Sequence, residues 1–251
     1  MAKKYEDFFN KIKFSLKEKS EKRFVANQLL QMHDEAKKKD NQIIVELGVD
    51  KGVSTKIFLN AISDKINSKL ISIDIRDCSH VADSNQWTFV KQNSVDIKYL
   101  LEKMPILKNG IDILYIDSLH TQKHVFNEIY NYFEYVKKDG VIFFDDVDSG
   151  PYMKKQRKDS INTEIENRKI FDLLEAIFRA NYSSIDFSVN YGSTGLAKFV
   201  KHSNLGDKLN FPLFISKRRF RIFWRILEFL NIKKSYKHNY SSNDSFLISP
   251  K

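Results

Sequence analysis

The stretch SIDFSVNYGSTGLAKFVK, residues 184–201, contains two short strand patterns that follow each other closely in the chain. Residues 184–190 and 195–201 each carry apolar side chains suited to a pleated strand, and four residues separate the two patterns. A parallel connection needs roughly a dozen residues or more, so these two strands must run antiparallel. The stretch therefore predicts a sheet that ends in an antiparallel hairpin.

The chain before this hairpin alternates short apolar runs with helical patterns. The apolar runs are IIVEL (43–47), LISID (70–74), WTFVKQ (87–92), IDILYID (111–117) and GVIFFDD (140–146). Helical patterns follow three of these runs, over residues 54–62, 121–136 and 164–180. Such alternation is typical of a doubly wound parallel sheet. We therefore predict an α/β fold with a Rossmann-like seven-stranded sheet and a reversed terminal strand.

The two ends of the chain are more basic than its middle. Of the net charge of +10, residues 1–40 contribute +4 (11 Lys and Arg against 7 Asp and Glu), and residues 217–237 contribute +7 (8 against 1). The predicted parts are an N-terminal helical segment at 1–39, a central domain at 40–201 and a C-terminal extension at 202–251. The extension includes a basic amphipathic helix at 214–234. Its apolar face predicts packing on the body or in a homodimer; contact with a membrane surface, or a lid over an anionic substrate, is the alternative.

Composition restricts the class of protein. The 251 residues are 42% hydrophobic and 29% charged, and no apolar run is long enough to form a transmembrane segment. The N-terminal residues lack the apolar core of a secretory signal, and Cys78 is the single cysteine, so we expect a soluble cytoplasmic protein without disulfides. The basic residues are not interleaved with aromatics across the central domain, which disfavours nucleic acid as a partner.

The first strand leads directly into the glycine-containing turn VELGVDKGVST, residues 45–55. Gly48 and Gly52 would let the backbone turn tightly and approach a ligand, while Ser54 could cap the following helix. The N–H groups at that helix start suit a carboxylate or a phosphate. The spacing G-x-x-x-G differs from the dinucleotide pattern G-x-G-x-x-G, and a turn without any ligand is the alternative.

Polar residues also follow other predicted strands. Asp74 ends the second strand, where an acid beside a glycine turn can bind both hydroxyls of a ribose. Asn93 and Ser94 follow the third strand, at the position where an adenine edge would lie. Asp145 and Asp146 end the fifth strand, and two carboxylates so close raise each other's pKa unless a cation or hydrogen-bond donors compensate. A polar loop start is the alternative for this pair.

Four segments together resemble a known enzyme family. VELGVDKGVST (45–55), Asp74, YIDSLHTQKHV (115–125) and GVIFFDDV (140–147) are similar to the class I S-adenosylmethionine-dependent O-methyltransferases. Within that family the chain looks most like the metal-dependent branch of macrocin O-methyltransferase and related sugar O-methyltransferases. The resemblance covers about residues 40–201 in order.

The resemblance implies a cofactor, S-adenosyl-L-methionine, and its binding residues. The methionine end would be lined by Glu46, Gly48, Gly52, Ser54 and Thr55, with Asp117 also at the cofactor. The ribose would be bound by Asp74, and the adenine by Asn93 and Ser94.

The resemblance also implies a divalent metal and a base. Asp117 ends the fourth strand beside Asp145 and Asp146, and three carboxylates suit Mg²⁺. A bound metal would relieve the repulsion among the acids and lower the pKa of a substrate hydroxyl. His120 would be the catalytic base that accepts the hydroxyl proton. His120 and His124 are spaced like the histidines of the zinc-binding motif H-E-x-x-H. The segment HTQKH lacks the glutamate of that motif, which disfavours a zinc site.

We therefore predict a Mg²⁺-assisted S-adenosylmethionine-dependent O-methyltransferase acting on a small-molecule acceptor. Sugar-containing metabolites or surface-glycan precursors of polysaccharide biosynthesis are the first expected class, and phosphorylated or phosphoramidate-type acceptors the second. The alternatives are a nucleotide-dependent oxidoreductase and a non-catalytic adaptor that binds a membrane or RNA through its basic helix.

Overall fold

The computed structural model describes residues 5–148, 161–213, 226, 230 and 245–248. Two helices come first, α1 (Glu6–Ser15) and α2 (Lys22–Lys37). The following elements are, in chain order, β1 (Ile43–Leu47), α3 (Val53–Ala61), β2 (Lys69–Asp74), β3 (Trp87–Lys91), α4 (Ile97–Lys103), β4 (Ile111–Ile116), α5 (Gln122–Tyr132), β5 (Val136–Asp145), α6 (Ile161–Ala180), β6 (Ile185–Asn190), β7 (Leu196–Lys201) and β8 (Ser245–Ile248). Short 3-10 helices span Pro105–Asn109 and Phe133–Tyr135.

The strands form one mixed sheet in the order β3-β2-β1-β4-β5-β7-β6-β8. Strands β1 to β5 pair in parallel, whereas β7 runs antiparallel to both β5 and β6. The predicted doubly wound α/β sheet with a terminal antiparallel hairpin is confirmed. The sequence analysis did not predict β8, which pairs antiparallel with β6 at the sheet edge.

The strand order places the ends of three strands around one point. The chain turns outward from β1 to β2 on one side and to β4 on the other, so the connections diverge between β1 and β4. Leu47 at the end of β1 pairs with Ile73 of β2 and with Ile116 of β4. The residues that follow, including Gly48 and Asp117, therefore share one edge of the sheet, where open α/β sheets bind ligands.

Both faces of the sheet are covered, which explains the continuous apolar runs. Val45 and Leu47 of β1 enter a large core that also contains Ile129 of α5. Ile44, which precedes Val45, points to the other face, into a second core with Phe58 of α3. Alternation along one strand thus fixes the central sheet between two helical layers.

Element boundaries differ from prediction where the sequence is polar. The N-terminal segment forms two helices separated at residues 16–21. Strand β5 begins at Val136, four residues before the predicted start at Gly140, because its first residues include exposed lysines that carry no apolar signal. Helix α4 was not predicted. The predicted helix at 214–234 lies outside the described residues apart from two isolated positions, and the division into three parts stays a prediction.

Within the described part of the chain, no helix combines the length and the apolar character needed to cross a bilayer.

Gly48 connects the end of β1 to the rest of this edge. Its φ is +95°, and its N–H donates to the carbonyl oxygen of Ile73 at 2.8 Å. A Cβ at this position would lie 2.0 Å from the carbonyl oxygen of Asp117, which is backbone and cannot rotate away. The close approach of β1 and β4 therefore requires glycine here.

We predict that Gly48→Ala lowers the free energy of unfolding by about 3 kcal/mol or more, because conformational strain and a backbone clash add. Gly206→Ala is the matched control, since Gly206 has φ +92° and a Cβ there would meet no atom of the described residues within 4 Å. The control should cost about 1 kcal/mol, the strain alone. Urea denaturation of both variants measures the difference; equal costs would contradict the close-approach argument.

Candidate active site

A cavity of about 670 Å³ opens at the carboxyl edge of the sheet. Its wall is formed by the segments that follow β1, β2, β3 and β4. The predicted site residues on this wall are Gly48, Asp74, Asn93, Ser94, Asp117 and His120. The volume is in the range of small-molecule and cofactor sites. Residues that are distant in sequence thus meet at one concave surface.

Asp74 is an ionised carboxylate on this wall. Its Oδ2 accepts the backbone N–H groups of Val49 at 2.9 Å and Asp50 at 3.3 Å, and its Oδ1 accepts the backbone N–H of Arg76 at 2.8 Å. Burial raises the pKa of Asp74, but these donors and the Arg76 guanidinium outweigh burial and leave the pKa below its usual value. The glycine turn after β1 is therefore held to the end of β2 through a negative charge.

Glu46, Ser54 and Thr55 lie behind the cavity wall. The fully buried Glu46 carboxylate accepts hydrogen bonds from the hydroxyls of Ser54, Thr55 (2.8 Å) and Ser72 (2.6 Å). Burial raises the pKa of Glu46 to about 7, against the opposing effect of the three donors. The expectation that Ser54 caps α3 is wrong: Gly52, with φ +69°, occupies the cap position, and the Ser54 hydroxyl is engaged with Glu46.

Asp117 and Asp145 converge at the ends of β4 and β5. The Tyr115 hydroxyl lies 3.0 Å from Oδ2 of each carboxylate. Oδ1 of Asp145 accepts the hydroxyl of Thr194 at 3.2 Å and the backbone N–H of Asp146 at 2.8 Å. Burial, followed by the negative charges of Asp117 and Asp146, raises the pKa of Asp145 to about 8. The protein alone does not fully compensate the charge of this cluster.

His120 joins Asp117 to Asp146. Its Nε2 lies 2.9 Å from Oδ1 of Asp117, and its Nδ1 contacts Oδ2 of Asp146. Burial lowers the pKa of His120, but its bonds to the two carboxylates and their charges raise the pKa to about 11. Asp146 has φ +59°, a conformation that directs its carboxylate toward this ring. At neutral pH His120 is thus an imidazolium between two anions.

The three aspartates fit Mg²⁺ in donor chemistry. They offer hard anionic oxygens. Burial is the main cause that raises the pKa of Asp117 and of Asp145, and the negative charges of the neighbouring aspartates raise both further. In the described residues, however, no three acids, histidines or cysteines stand in a ready coordination group. The reason is local: the His120 imidazolium separates Asp117 from Asp146, and the Tyr115 hydroxyl lies between Asp117 and Asp145.

The turn between β6 and β7 reaches the acid cluster and is held from behind by α2. Gln28 donates through Nε2 to the carbonyl oxygens of Asn190 at 3.3 Å and Gly192 at 2.8 Å. The Phe24 ring covers Gly192 so closely that a Cβ there would approach it to 2.4 Å. Two residues later, Thr194 donates to the acid cluster. The N-terminal helices therefore support one wall of the site.

A second polar cluster lines the cavity through Ser94, Ser118 and His124. His124 Nε2 lies 3.1 Å from the hydroxyl oxygen of Ser94 and 3.3 Å from Oε1 of Glu128. The Ser118 hydroxyl donates to the same Oε1 at 2.5 Å. Ser94, Ser118 and His124 line the cavity, while Glu128 is fully buried behind them.

Several of these residues were missed by the sequence analysis. Tyr115 lies two residues before Asp117 on one strand, so the period of two could have placed both side chains on one face. His124 and Glu128 are four residues apart, which places them on one face of a helix. Thr194 had no comparable signal, since its contact with the cluster depends on sheet topology.

A protein-family model and a curated protein are similar to the central part of the chain. Residues 45–147 match the family described as "Methyltransferase domain". The chain is also 32% identical over 120 residues to an uncharacterized protein of Acanthamoeba polyphaga mimivirus, an alignment that covers 43% of this chain and 52% of that protein.

Solved structures share the fold at low identity. MycE, a methyltransferase from the mycinamycin biosynthetic pathway solved with Mg and SAH, has a TM-score of 0.50 and 18% identity, covering 74% of this chain and 51% of MycE. A Staphylococcus aureus protein described as a caffeoyl-CoA O-methyltransferase has a TM-score of 0.51 and 19% identity, covering 70% and 81%. TomG, a Streptomyces achromogenes O-methyltransferase involved in tomaymycin synthesis, has a TM-score of 0.50 and 14% identity, covering 71% and 81%. The chain spans about half the length of the mimiviral protein and of MycE.

We predict that Glu46→Gln flattens the pH dependence of the free energy of unfolding between about pH 5 and pH 8. The pKa of Glu46 is about 7 in the folded state, against 4.5 for an ordinary glutamate. The folded state therefore holds a proton that the unfolded chain has lost, and this stabilisation is present at low pH and disappears as the pH rises through 7. The loss should amount to roughly 3 kcal/mol.

Urea denaturation across the pH series measures this effect. The control is Glu102→Gln, at an exposed glutamate of α4, whose profile should run parallel to that of the wild type. A Glu46→Gln profile parallel to the wild type would contradict the assigned titration.

Proposed function

We propose that this chain is a class I S-adenosylmethionine-dependent methyltransferase that transfers the methyl group of its cofactor to a hydroxyl oxygen of a small molecule, with Mg²⁺ assisting. The match of residues 45–147 to a methyltransferase domain and the fold shared with solved methyltransferases support this enzyme class. The observation that carries the finer proposal is the arrangement of one cavity. An ionised Asp74 stands at one part of its wall, and Asp117 and His120 stand at another. Asp145 and Asp146 are joined to these two wall residues through the Tyr115 hydroxyl and the His120 ring.

Cofactor binding is supported by the segment that connects β1 to α3. Gly48 and Asp117 both line the cavity, and the Asp74 carboxylate fixes the backbone at Val49 and Asp50. An ionised carboxylate at the end of β2 can accept both hydroxyls of a ribose. Asn93 and Ser94 on the same wall are positioned for the base of the nucleoside.

Asp117, Asp145 and Asp146 would hold the metal. When bound, Mg²⁺ would lower the pKa of an acceptor hydroxyl and orient it. If the carboxylates of Asp117 and Asp146 held the metal, they would no longer raise the pKa of His120, and the ring would release its proton to solvent. The neutral imidazole would then be the base that accepts the hydroxyl proton as the methyl group is transferred.

The acceptor is proposed by class. We expect sugar-containing metabolites or surface-glycan precursors first, from the resemblance of the motifs to sugar O-methyltransferases. Phosphorylated or phosphoramidate-type acceptors come second, because the chain is basic at both ends. Homodimer formation and a cytoplasmic location remain predictions from the sequence.

We predict that Asp74→Ala weakens binding of S-adenosylmethionine by about 1–3 kcal/mol, since buried hydroxyls would lose their acceptor. Asp77→Ala is the matched control, because Asp77 lies three residues away in the same loop and hydrogen-bonds Ser79, outside the cavity wall. Isothermal titration calorimetry measures both affinities. An unchanged affinity in Asp74→Ala would remove this residue from the cofactor site.

Substitution of a metal ligand and substitution of the base should affect the reaction rate in different ways. Asp145→Asn removes a hard anionic ligand, so we expect activity to fall and to return in part at high Mg²⁺ concentration. His120→Ala leaves all three carboxylates in place and should lose about 10²–10⁴-fold in rate, without restoration by Mg²⁺.

Methyl transfer from labelled cofactor to a panel of cell metabolites, over a Mg²⁺ series with EDTA as the zero point, measures these rates. Asp139→Asn, in the exposed start of β5, and His202→Ala, on the surface, are matched controls that should behave as wild type. Full activity in EDTA would contradict the metal role. An active His120→Ala would contradict the base role and leave methyl transfer itself intact.

A further inference from the structure

We propose that Glu128 and His124 of α5 orient Ser94 and Ser118 so that these two hydroxyls read the amino edge of adenine. This inference rests on the proposed cofactor site. It assigns the base specificity of that site to a relay, by which we mean the hydrogen-bonded side chains of Glu128, His124, Ser94 and Ser118. Glu128 and His124 are positioning residues, and the two serines would contact the ligand.

The direction of the hydrogen bonds follows from Glu128. Its side chain is fully buried, and its Oε2 has no hydrogen-bond partner among the described residues. Oε1 is therefore the atom that accepts hydrogen bonds from its neighbours. The Ser118 hydroxyl, 2.5 Å away, must donate its proton to Oε1. The lone pairs of Ser118 are left to accept a hydrogen bond from the cavity.

Ser94 is oriented in the opposite sense. His124 Nε2 faces both Oε1 of Glu128 at 3.3 Å and the Ser94 hydroxyl oxygen at 3.1 Å, so this nitrogen carries the proton. Ser94 accepts from His124 and keeps its own hydroxyl proton for the cavity. The relay thus sets one acceptor, at Ser118, and one donor, at Ser94.

The backbone of Ser94 is fixed by the same face of α5. The Tyr132 hydroxyl donates to the carbonyl oxygen of Ser94 at 2.9 Å, and Asn131 donates through Nδ2 to that of Val95 at 2.9 Å. Residues 124, 128, 131 and 132 recur at helical spacing, so one stripe of α5 holds the segment after β3. Position and hydroxyl direction are therefore set together.

The acceptor at Ser118 and the donor at Ser94 are complementary to adenine but not to its 6-oxo analogue. Adenine presents an amino donor beside a ring-nitrogen acceptor. A 6-oxo group in place of the amino group turns the donor into an acceptor, which would face the lone pairs of Ser118. A free serine hydroxyl could rotate to correct this, but the Ser118 proton is held by Glu128. The bond to Glu128 thus allows Ser118 to discriminate between adenine and its 6-oxo analogue.

Calorimetric titration with two probes, S-adenosyl-L-homocysteine and S-inosyl-L-homocysteine, tests the proposal. Wild type should bind the adenine compound about 10–100-fold more tightly than the inosine compound. In Ser118→Ala this affinity ratio should largely disappear because the adenine compound binds more weakly. In Glu128→Met the Ser118 hydroxyl is free to rotate, so the ratio should disappear because the inosine compound binds more tightly. Ser63→Ala, whose hydroxyl donates to the carbonyl oxygen of Asn60 away from the cavity, should keep the full ratio.

The outcomes separate this inference from the proposed function. Equal affinity of wild type for both compounds, or full discrimination in Ser118→Ala, would overturn the adenine assignment while cofactor binding stands. Failure of wild type to bind either compound would overturn the cofactor site, and this inference with it. Ser118→Ala decides the matter by itself if Glu128→Met does not fold.

Discussion

Compensation of negative charge at the ends of β4 and β5 is the constraint on which the site depends. Asp117, Asp145 and Asp146 are brought to one edge by strand pairing, and their mutual repulsion adds to the cost of burial. The Tyr115 hydroxyl, the backbone N–H of Asp146 and the His120 imidazolium contact these carboxylates. Part of the negative charge is thus compensated by groups of the chain itself.

The sheet order explains why this edge can be a site at all. Divergence of the connections between β1 and β4 leaves a crevice, which is lined by the segments that follow β1, β2, β3 and β4. The antiparallel β7 beside β5 brings the β6–β7 turn to the acid cluster, where Thr194 donates to Asp145. Early and late parts of the chain are thus joined at this edge of the sheet.

Sequence patterns predicted the fold well because burial on both faces produces continuous apolar runs. The strand ends predicted Asp74, Asp117 and Asp145 at one edge for the same reason. Contacts between elements could not be predicted: Ser54 bonds to Glu46 instead of capping its helix, and His120 contacts the carboxylates of Asp117 and Asp146. Side-chain partners of this kind depend on packing distances that no periodicity encodes.

The bonds from α2 to the β6–β7 turn have a consequence for exchange of parts between related proteins. Gln28 holds the carbonyl groups of a turn that lies more than 160 residues away in the chain, and this turn carries a hydrogen-bond donor to the acid cluster. A graft that replaces the N-terminal helices alone would leave the turn without its support, although no catalytic group had been altered. The helices and the hairpin form one inherited unit, and a functional chimera would have to take both from the same parent.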